Sequence, residues 1–338
     1  MKFLIIRTDK IGDVLLTLPI AVKLKEKYST DQVIFLAQNY TQPLVKLCNS
    51  VDKVISVDEH NFLDLIEILR SEKIDVAIVA RPTIKNALIP WMAGIKTRIG
   101  TKYRIYSFLF NKRVSHHRKY SVKHEALYNL DLIEPLGIQN LNNLENISFG
   151  ITPSEEEQEL LKRKLRKRGI DLSKKIVVFH IGSGGSSIDW NPVKFRELGI
   201  NLLKRKNCEL ILTGSHKEFL LNYELFFDYR EKVHNLAGDL DLKELFHLFS
   251  LADVYVGNST GPTHLAAIAG TYVIAFYPKI KVASQIRWGP ITKKRIIFEP
   301  EIDCSNCTQL QCKALKCMDS IQIEKVYWEI EKILNKVW

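Results

Sequence analysis

The sequence has 338 residues, of which 46% are hydrophobic and 26% are charged, with a formal net charge of +11 and a pI of about 9.2. No apolar run approaches the ~18 residues of a transmembrane helix, and the first apolar run ends at Arg7, so we expect no signal peptide. A net positive charge can attract nucleic acid, an anionic membrane leaflet or a phosphorylated substrate. The sequence contains no nucleic-acid-binding motif beside this charge. We expect a cytoplasmic enzyme of two domains that binds no nucleic acid.

The first half of the chain alternates strand and helix patterns. The predicted strands are 2–6, 32–37, 53–57 and 75–80. The predicted helices are 14–28, 41–48, 61–72, 85–93 and 122–136. Such alternation indicates a parallel sheet with helices on both faces. We therefore assign residues 1–160 to an N-terminal Rossmann-like domain.

A charged loop, Arg7-Thr-Asp-Lys-Ile-Gly-Asp13, joins the first strand to its helix. Asp13 falls at the predicted helix start, where a carboxylate caps backbone N–H groups and is favoured by the helix dipole. The dipole is expected to lower the pKa of Asp13. A simple cap is the default role for a lone Asp before a helix.

The second half repeats the pattern after a polar segment, 150–174, which carries a capping box at Ser154 and Glu157 and predicts a helix beside the interdomain linker. The predicted strands are 175–181, 208–213, 232–236, 253–257, 272–277 and 294–298. We assign residues 174–320 to a second Rossmann-like domain. Residues 321–338 form a C-terminal segment with a helix at about 322–337.

The loop Gly257-Asn-Ser-Thr-Gly261 follows one of these strands. Pro262 suits the first turn of the next helix, and Gly270 is a typical helix stop. Free backbone N–H groups, a positive dipole end and two glycines suit a diphosphate. A well-capped helix in an ordinary α/β domain is the alternative.

Together the two loops and the motifs between them resemble glycosyltransferase family 9, the ADP-heptose:lipopolysaccharide heptosyltransferases. The matching pieces, in chain order, are the Arg7–Asp13 loop with Leu-Thr-Leu-Pro19, Lys85-Asn-Ala, His180-x-Gly182, Trp190-x-Pro192, Thr213-Gly214 with Glu218, Gly257–His264 and Cys317-Met-Asp-Ser-Ile321. The resemblance implies a GT-B fold of two Rossmann-like domains facing a cleft. The C-terminal domain would hold the nucleotide sugar, the N-terminal domain the acceptor, and the last helix would pack back on the first domain. The implied reaction is inverting, direct displacement of heptose from ADP-heptose onto a lipopolysaccharide core.

The resemblance also implies residue roles. Asp13 matches the catalytic base. The implied donor-binding residues are His180, Gly182, Gly214, Glu218, Asn258, Ser259, Thr260, Gly261 and His264. The implied acceptor or cleft residues are Arg7, Asp9, Lys85, Arg98 and Arg104. Solvated side chains are the alternative for Glu218 and Lys85, and packing is the alternative for His264.

Two positions depart from the family pattern. Ile188 stands where members usually carry a Lys that neutralises the diphosphate, and Ser259 replaces a common Asp. Lys194 or Arg287 are candidate replacements for the missing cation. The alternatives left open are a different nucleotide sugar, a nucleotide-sugar-binding or epimerase-like protein on the same fold, and a non-catalytic member, against which the retained Asp13 argues.

The remaining features concern metals and the acceptor. Cys304, Cys307, Cys312 and Cys317 could close a structural zinc site or act as reduced thiols bracing a loop. Catalysis is expected to need no metal, because the sequence has no Asp-x-Asp motif of the kind that binds a metal and a diphosphate. Asp239-Leu-Asp241 has the same letters, but it opens a predicted helix. Basic residues between Arg98 and Lys119 suit an anionic lipid-linked saccharide and salt-sensitive contact with the inner leaflet, with a solvated basic surface as the alternative.

Overall fold

The computed structural model describes residues 1–139, 143–205, 207–302, 307–314 and 316–335. They form two compact units, Met1–Thr152 and Pro153–Trp338. The polar helix expected beside the linker lies within the second unit, where Glu157 bonds His247 Nε2 at 2.7 Å and Lys164 bonds Glu244 at 2.7 Å. None of the described helices is both long and apolar enough to span a bilayer.

The first unit is a six-stranded parallel sheet with helices packed on it. Its strands are β1 (Lys2–Ile6), β2 (Gln32–Ala37), β3 (Lys53–Ser56), β4 (Val76–Val79), β5 (Thr97–Thr101) and β6 (Lys112–Val114). Its α-helices are α1 (Ile11–Leu15), α2 (Leu18–Lys27), α3 (Gln42–Lys46), α4 (Phe62–Ser71), α5 (Ile84–Met92) and α6 (Glu125–Leu130). The apolar strands are buried on both faces, as is typical of parallel sheets. Leu4, Ile6 and Ile34 pack with Leu65 and Ile89 of the covering helices.

Two features of the first unit differ from the sequence prediction. The helix predicted over 14–28 is interrupted at Leu16–Thr17, because Pro19 in the first turn of α2 has no N–H to continue the α1 ladder. Strands β5 and β6 were not predicted. Their sequences, Thr-Arg-Ile-Gly-Thr and Lys-Arg-Val, carry polar residues or Gly at most positions, so they lack the apolar run that marks the other strands.

The second unit repeats the architecture. Its strands are β7 (Lys175–His180), β8 (Cys208–Thr213), β9 (Val233–Asn235), β10 (Val254–Asn258), β11 (Tyr272–Phe276) and β12 (Arg295–Phe298). Its α-helices are α7 (Glu155–Lys167), α8 (Pro192–Leu202), α9 (Phe219–Leu225), α10 (Leu242–Leu251), α11 (Gly261–Ile268), α12 (Gln285–Trp288), α13 (Gln309–Ala314) and α14 (Ile323–Asn335). Trp190 is fully buried and stacks on Phe276 with ring centroids 4.2 Å apart.

The last helix, α14, belongs to the second unit. Its apolar stripe, Val326, Ile330 and Ile333, enters the same core as Phe195 of α8. Arg205 pairs with its Glu331. The apolar stripe is thus used within the second unit, and the expectation that this helix packs back on the first domain stays a prediction.

The strand order places a possible site on each unit. The first sheet runs β3-β2-β1-β4-β5-β6 and the second β12-β11-β10-β7-β8-β9. In the first sheet β1 lies between β2 and β4, and in the second sheet β7 lies between β8 and β10. The chain therefore leaves the central strand toward one side of the sheet and later returns to its other side, at the β1/β4 and β7/β10 boundaries. Ligands of such sheets bind at the carboxyl ends of the strands at this switch point.

Candidate functional site

Arg7 organises the carboxyl edge at the β1/β4 boundary. Its side chain is 4% exposed, so its guanidinium must be satisfied inside the protein. Nε donates to Asp9 at 2.7 Å, one terminal nitrogen donates to Asp13, and the other donates to the Ala80 carbonyl at 3.2 Å. Arg7 was predicted as an acceptor or cleft residue; in the structure its guanidinium holds Asp13 and Asp9 in place, and the predicted role stays a prediction.

A second layer behind Arg7 comes from α6. Glu125 and Asn129 accept from Arg7 at 3.5 and 3.3 Å, and both also accept from Arg118, at 2.5 and 2.9 Å. Asn129 in turn donates to Thr17 at 3.1 Å. The sequence reasoning missed these two residues. The available signal was two polar side chains four residues apart, hence on one face, in an otherwise apolar helix.

Asp13 lies in the first turn of α1, with its side chain 21% exposed. Burial raises its pKa from 3.8 to about 6; Arg7 opposes the rise, and Asp9 and Glu125 add to it. The expectation of a lowered pKa is wrong, because the dipole of a five-residue helix is small beside the loss of hydration. A carboxylate with a pKa near 6 is a stronger base that is still ionised at neutral pH.

The other acceptor or cleft residues predicted in the first unit differ in whether they lie at the carboxyl edge of the sheet. Lys85, exposed in the first turn of α5, and Arg104, exposed after β5, both stand at the carboxyl edge. Arg98 does not: it pairs in register with Ala77, about 7 Å before the end of β4. Its Nε donates to the Leu109 carbonyl at 2.8 Å, so it braces the segment after β5.

In the second unit, Glu218 is seated over two glycines. One of its carboxylate oxygens accepts from the Ser215 amide at 2.6 Å and from the Ser215 hydroxyl at 2.7 Å. The other faces Gly182, where an added Cβ would collide with it, and a Cβ at Gly214 would lie 3.0 Å from the Glu218 Cβ. The three predicted residues Gly182, Gly214 and Glu218 therefore meet at the ends of β7 and β8.

His180 lies beneath this group and is buried. Its Nδ1 is 3.0 Å from the Thr213 hydroxyl. Burial lowers its pKa to about 4, and Glu218 opposes the shift only partly. His180 is therefore neutral at physiological pH, so it supplies hydrogen bonds rather than a positive charge.

Asn258 links the loops that follow β7 and β10. Its side-chain amide donates to the Ile181 carbonyl at 2.6 Å and accepts from the Trp190 amide at 2.8 Å. The side chain is fully buried, so its role is to fix both ends of the 182–190 loop. Asn258 was predicted as a donor-binding residue, and that role stays a prediction; in the structure its side-chain amide makes these two bonds.

The 182–190 loop contains hydroxyls that the sequence reasoning did not select. The Ser186 amide donates to the Ser183 carbonyl at 3.1 Å, and the Ser187 amide donates to the Ser183 hydroxyl at 3.3 Å. Gly184 and Gly185 have φ of +56° and +76°, which other residues adopt with strain. The signal was the run Gly-Ser-Gly-Gly-Ser-Ser between a strand and a helix.

The start of α11 lies beside this loop, because β10 and β7 are neighbours. Thr260 is the N-cap, yet its side chain makes no capping hydrogen bond. Ser259 and Gly261 are partly exposed, and the Ser259 amide donates to the Phe276 carbonyl at 3.2 Å. His264 is buried in the first turn. A helix N-terminus of this kind favours an anion.

The two candidate replacements for the missing family cation, Lys194 and Arg287, both have partners in the structure. Ile188 is packed in the core of the second unit. Lys194 donates to the carbonyls of residues 319 and 321 at 2.5 and 2.9 Å, which commits its ammonium group. Arg287 lies over the Trp288 ring at 5.1 Å.

Lys279 is a better-placed cation that the sequence reasoning missed. It follows β11 by three residues, and β11 ends level with Asn258, so Lys279 stands at the same edge as the start of α11. Its ammonium group donates to the Ile302 carbonyl at 3.2 Å. No carboxylate among the residues that the structure describes lies within ion-pair distance of it.

The cysteine prediction falls largely outside the described residues. This holds for Cys304 and for the side chain of Cys312, whereas Cys307 is partly buried and Cys317 buried, both as free thiols. Among the residues that the structure describes, no group of three or more His, Cys, Asp or Glu is placed to hold a metal. The structural zinc site stays a prediction.

Comparison with known sequences identifies the family. Residues 62–318 match glycosyltransferase family 9 (heptosyltransferase), well over half of the chain. The chain belongs to glycosyltransferase family 9. It is 28% identical to a putative glycosyltransferase of Haemophilus influenzae, across 100% of this chain and 98% of that protein. It is 23% identical to lipooligosaccharide heptosyltransferase 2 of Campylobacter jejuni, across 99% of each.

Solved structures agree on the fold. The chain matches the Escherichia coli ADP-heptose lipopolysaccharide heptosyltransferase II with a TM-score of 0.85 at 20% identity, covering 99% of each chain. It matches a family 9 glycosyltransferase from Veillonella parvula with a TM-score of 0.82 at 18% identity, covering 99% and 97%. The predicted two-domain GT-B fold is confirmed, and membership of the family makes this family 9 protein a glycosyltransferase.

Proposed function

We propose that this family 9 glycosyltransferase moves a heptose, or a closely related sugar, from a nucleotide diphosphate donor, ADP-heptose in the first instance, to a lipopolysaccharide core. The proposal is carried by one observation on each unit. On one unit a buried Arg7 holds a basic Asp13, and on the other an uncapped helix start adjoins a glycine- and serine-rich loop. The relatives named as heptosyltransferases support the choice of sugar.

The proposed chemistry is a direct displacement with inversion. Asp13 accepts the proton of the acceptor hydroxyl as its oxygen attacks the anomeric carbon, and the bond between that carbon and the diphosphate oxygen breaks. A positioned base of this type contributes about 10²–10⁴-fold. Arg7 keeps the carboxylate oriented, and the second layer of Glu125 and Asn129 keeps Arg7 oriented.

The leaving diphosphate collects negative charge, which needs stabilisation. The start of α11, the hydroxyls of Ser259 and Thr260 and the 182–190 loop offer oriented dipoles and hydrogen-bond donors. Lys279 supplies a charge at the same edge. We propose that these groups act without a divalent metal, and that a zinc at the four cysteines, where present, is structural.

Glu218 is proposed to bind the ribose of the nucleotide. Its carboxylate has acceptor capacity left after the two bonds from Ser215, because an ionised carboxylate offers about four lone-pair sites. The capping bonds fix its direction over Gly182. The alternative, another nucleotide sugar, is favoured by Ile188 and Ser259, where the pocket departs from the family pattern.

The acceptor is proposed to be an anionic, lipid-linked saccharide reached from the cytoplasmic side. Exposed Lys85 and Arg104 stand at the edge that carries Asp13 and suit its phosphates. A screen of nucleotide sugars for binding and hydrolysis, with Asp13→Asn as the control, tests the reaction. Calorimetry with ADP, UDP and GDP tests the base. A clear preference for UDP or GDP would refute the ADP assignment and leave the family unchanged.

A further inference from the structure

The positive charge of the protein has one origin in the chain. Residues 76–124 contain 11 Lys and Arg and no Asp or Glu. The other 38 Lys and Arg are matched by 38 Asp and Glu, so the net charge of +11 comes from this stretch alone. Arg81, Arg118 and Lys123 have carboxylate partners elsewhere in the first unit.

Seven cations of this stretch are exposed and have no ion pair with any described residue, and five of them are close together in the chain: Lys102, Arg104, Lys112, Arg113 and Lys119. Lys102 and Arg104 follow β5, Lys112 and Arg113 are part of β6, and Lys119 follows β6. The fields of neighbouring like charges add, so such a cluster attracts an extended anionic surface more strongly than any single cation does.

Exposed apolar side chains lie among these cations. The 3₁₀ turn Ile105–Leu109 follows β5, with Ile105 99% exposed and Phe108 69% exposed. Residues three apart eclipse one another in a 3₁₀ helix, so the two side chains share one outward face. Ser107 and Leu109 are buried beneath them. The turn is therefore fixed to the unit by one side and presents an apolar face on the other.

A second segment extends the same face. The Tyr103 ring stacks on His117 at 3.6 Å, and His117 contacts the Tyr120 ring at 5.4 Å. Tyr120 and Val122 are 55% and 71% exposed. We name the whole the docking surface, made of Ile105, Phe108, Tyr120, Val122, Lys102, Arg104, Lys112, Arg113 and Lys119.

We infer that the docking surface binds an anionic lipid bilayer, with Ile105 and Phe108 inserted below the headgroups and the five cations against lipid phosphates. Apolar side chains flanked by Lys and Arg are the pattern of elements that lie in the membrane interface. A nucleic acid would satisfy the cations and leave Ile105 and Val122 without an apolar partner. A two-fold contact with a second copy would bring two acid-free surfaces together and be repelled.

The docking surface is joined to the charged group at Asp13. Arg118 belongs to the same segment as Lys119 and Tyr120, and its guanidinium reaches Glu125, which also accepts from Arg7. Docking would therefore present the edge that carries Asp13 to a lipid-linked acceptor. This step rests on the proposed function, whereas the membrane contact does not.

Vesicle cosedimentation of the full chain tests the inference. The probes are phosphatidylcholine vesicles with and without about 30% phosphatidylglycerol, at about 0.1 M and about 0.5 M salt, where the Debye length falls from about 10 Å to a few Å. The apolar variant is Ile105→Ser with Phe108→Ser, and the charge variant is Lys112→Gln with Arg113→Gln.

The matched control removes exposed apolar side chains elsewhere, Leu220→Ser with Phe227→Ser in the second unit, which are 66% and 48% exposed. The parent and this control are expected to bind anionic vesicles alike. The apolar variant is expected to bind at least about tenfold more weakly at both salt concentrations. The charge variant is expected to lose about tenfold at low salt and little at high salt.

Three results would overturn the inference. One is a parent that binds no anionic vesicle at either salt concentration. Another is an apolar variant that binds as the parent does while its melting curve is unchanged. The third is a parent dimer that the apolar variant dissociates, which would assign the surface to a second copy. ADP calorimetry on the same samples is read separately, so failure of the donor assignment leaves the vesicle result standing.

Discussion

Asp13→Asn separates the two roles that its position allows, base and buried partner of Arg7. The substitution keeps the size of the side chain and one acceptor oxygen for Arg7, but removes the ability to take a proton. We expect turnover to fall by about 10²-fold or more. The control is Asp9→Asn, because Asp9 also accepts from Arg7, at 2.7 Å, without standing in α1. Asp9→Asn should reduce turnover much less than Asp13→Asn does.

The pKa of Asp13 also sets a pH dependence. With a folded-state pKa of about 6, the ionised fraction of Asp13 falls about tenfold between pH 7 and pH 5. The kcat/KM of the parent should fall with it. Any residual activity of Asp13→Asn should lack this step.

The same shift predicts a gain in stability for the variant. Burial raises the pKa from 3.8 to about 6, so the folded state binds the proton more tightly than the unfolded chain. Ionised Asp13 therefore destabilises the fold at pH 7 by up to about 3 kcal/mol at ~1.4 kcal/mol per pKa unit. The destabilisation is relieved as the pH falls through 6 toward 3.8.

Urea unfolding of parent and variant at the two pH values measures this effect. Asp13→Asn should be the more stable protein at pH 7, and its advantage should shrink by about 1 kcal/mol at pH 5. Turnover within a few-fold of the parent, or a parent rate that is flat from pH 5 to pH 7, would refute the reasoning and leave Asp13 as a structural partner of Arg7.

Three further predictions concern the second unit. Lys279→Met should weaken ADP binding about tenfold, the size of one lost charge-assisted hydrogen bond; exposed Lys281→Met is the matched control, and equal effects in calorimetry would exclude Lys279 from the diphosphate site. Gly182→Ala should displace the Glu218 carboxylate and weaken ADP binding several-fold without lowering the melting temperature, whereas unchanged affinity would argue that Glu218 does not touch the nucleotide. Sugar transfer should survive exhaustive chelation, and a loss restored by Mg²⁺ or Mn²⁺ would contradict the metal-free mechanism.

The sequence by itself determined the alternation of strands and helices and the position of the glycine- and serine-rich loops that follow the strands. Uninterrupted apolar runs such as Phe3–Ile6 and Val254–Val256 are buried on both faces of a parallel sheet, so composition alone identifies them. Gly, Ser and Thr directly after a strand mark where a backbone must turn and where a ligand can approach, which is why the Gly257–His264 loop could be selected. Short polar strands such as Lys112–Val114 carry no such signal, because their place in the sheet comes from a neighbouring strand.

Only the tertiary structure decided how the selected residues behave. Arg98 and Arg104 are both arginines in the same basic stretch of the sequence. Strand register places Arg98 within the sheet, whereas Arg104 follows β5 at the carboxyl edge. The pKa of Asp13 depends on burial by elements distant in the chain, which reverses the local effect of the helix dipole. Lys279 lies at the edge that carries the start of α11 because β10 and β11 are neighbours and end level with one another, whereas Glu125 of α6 meets Arg7 across 118 positions of the chain. Local sequence fixes backbone conformation, whereas desolvation and long-range pairing follow from packing.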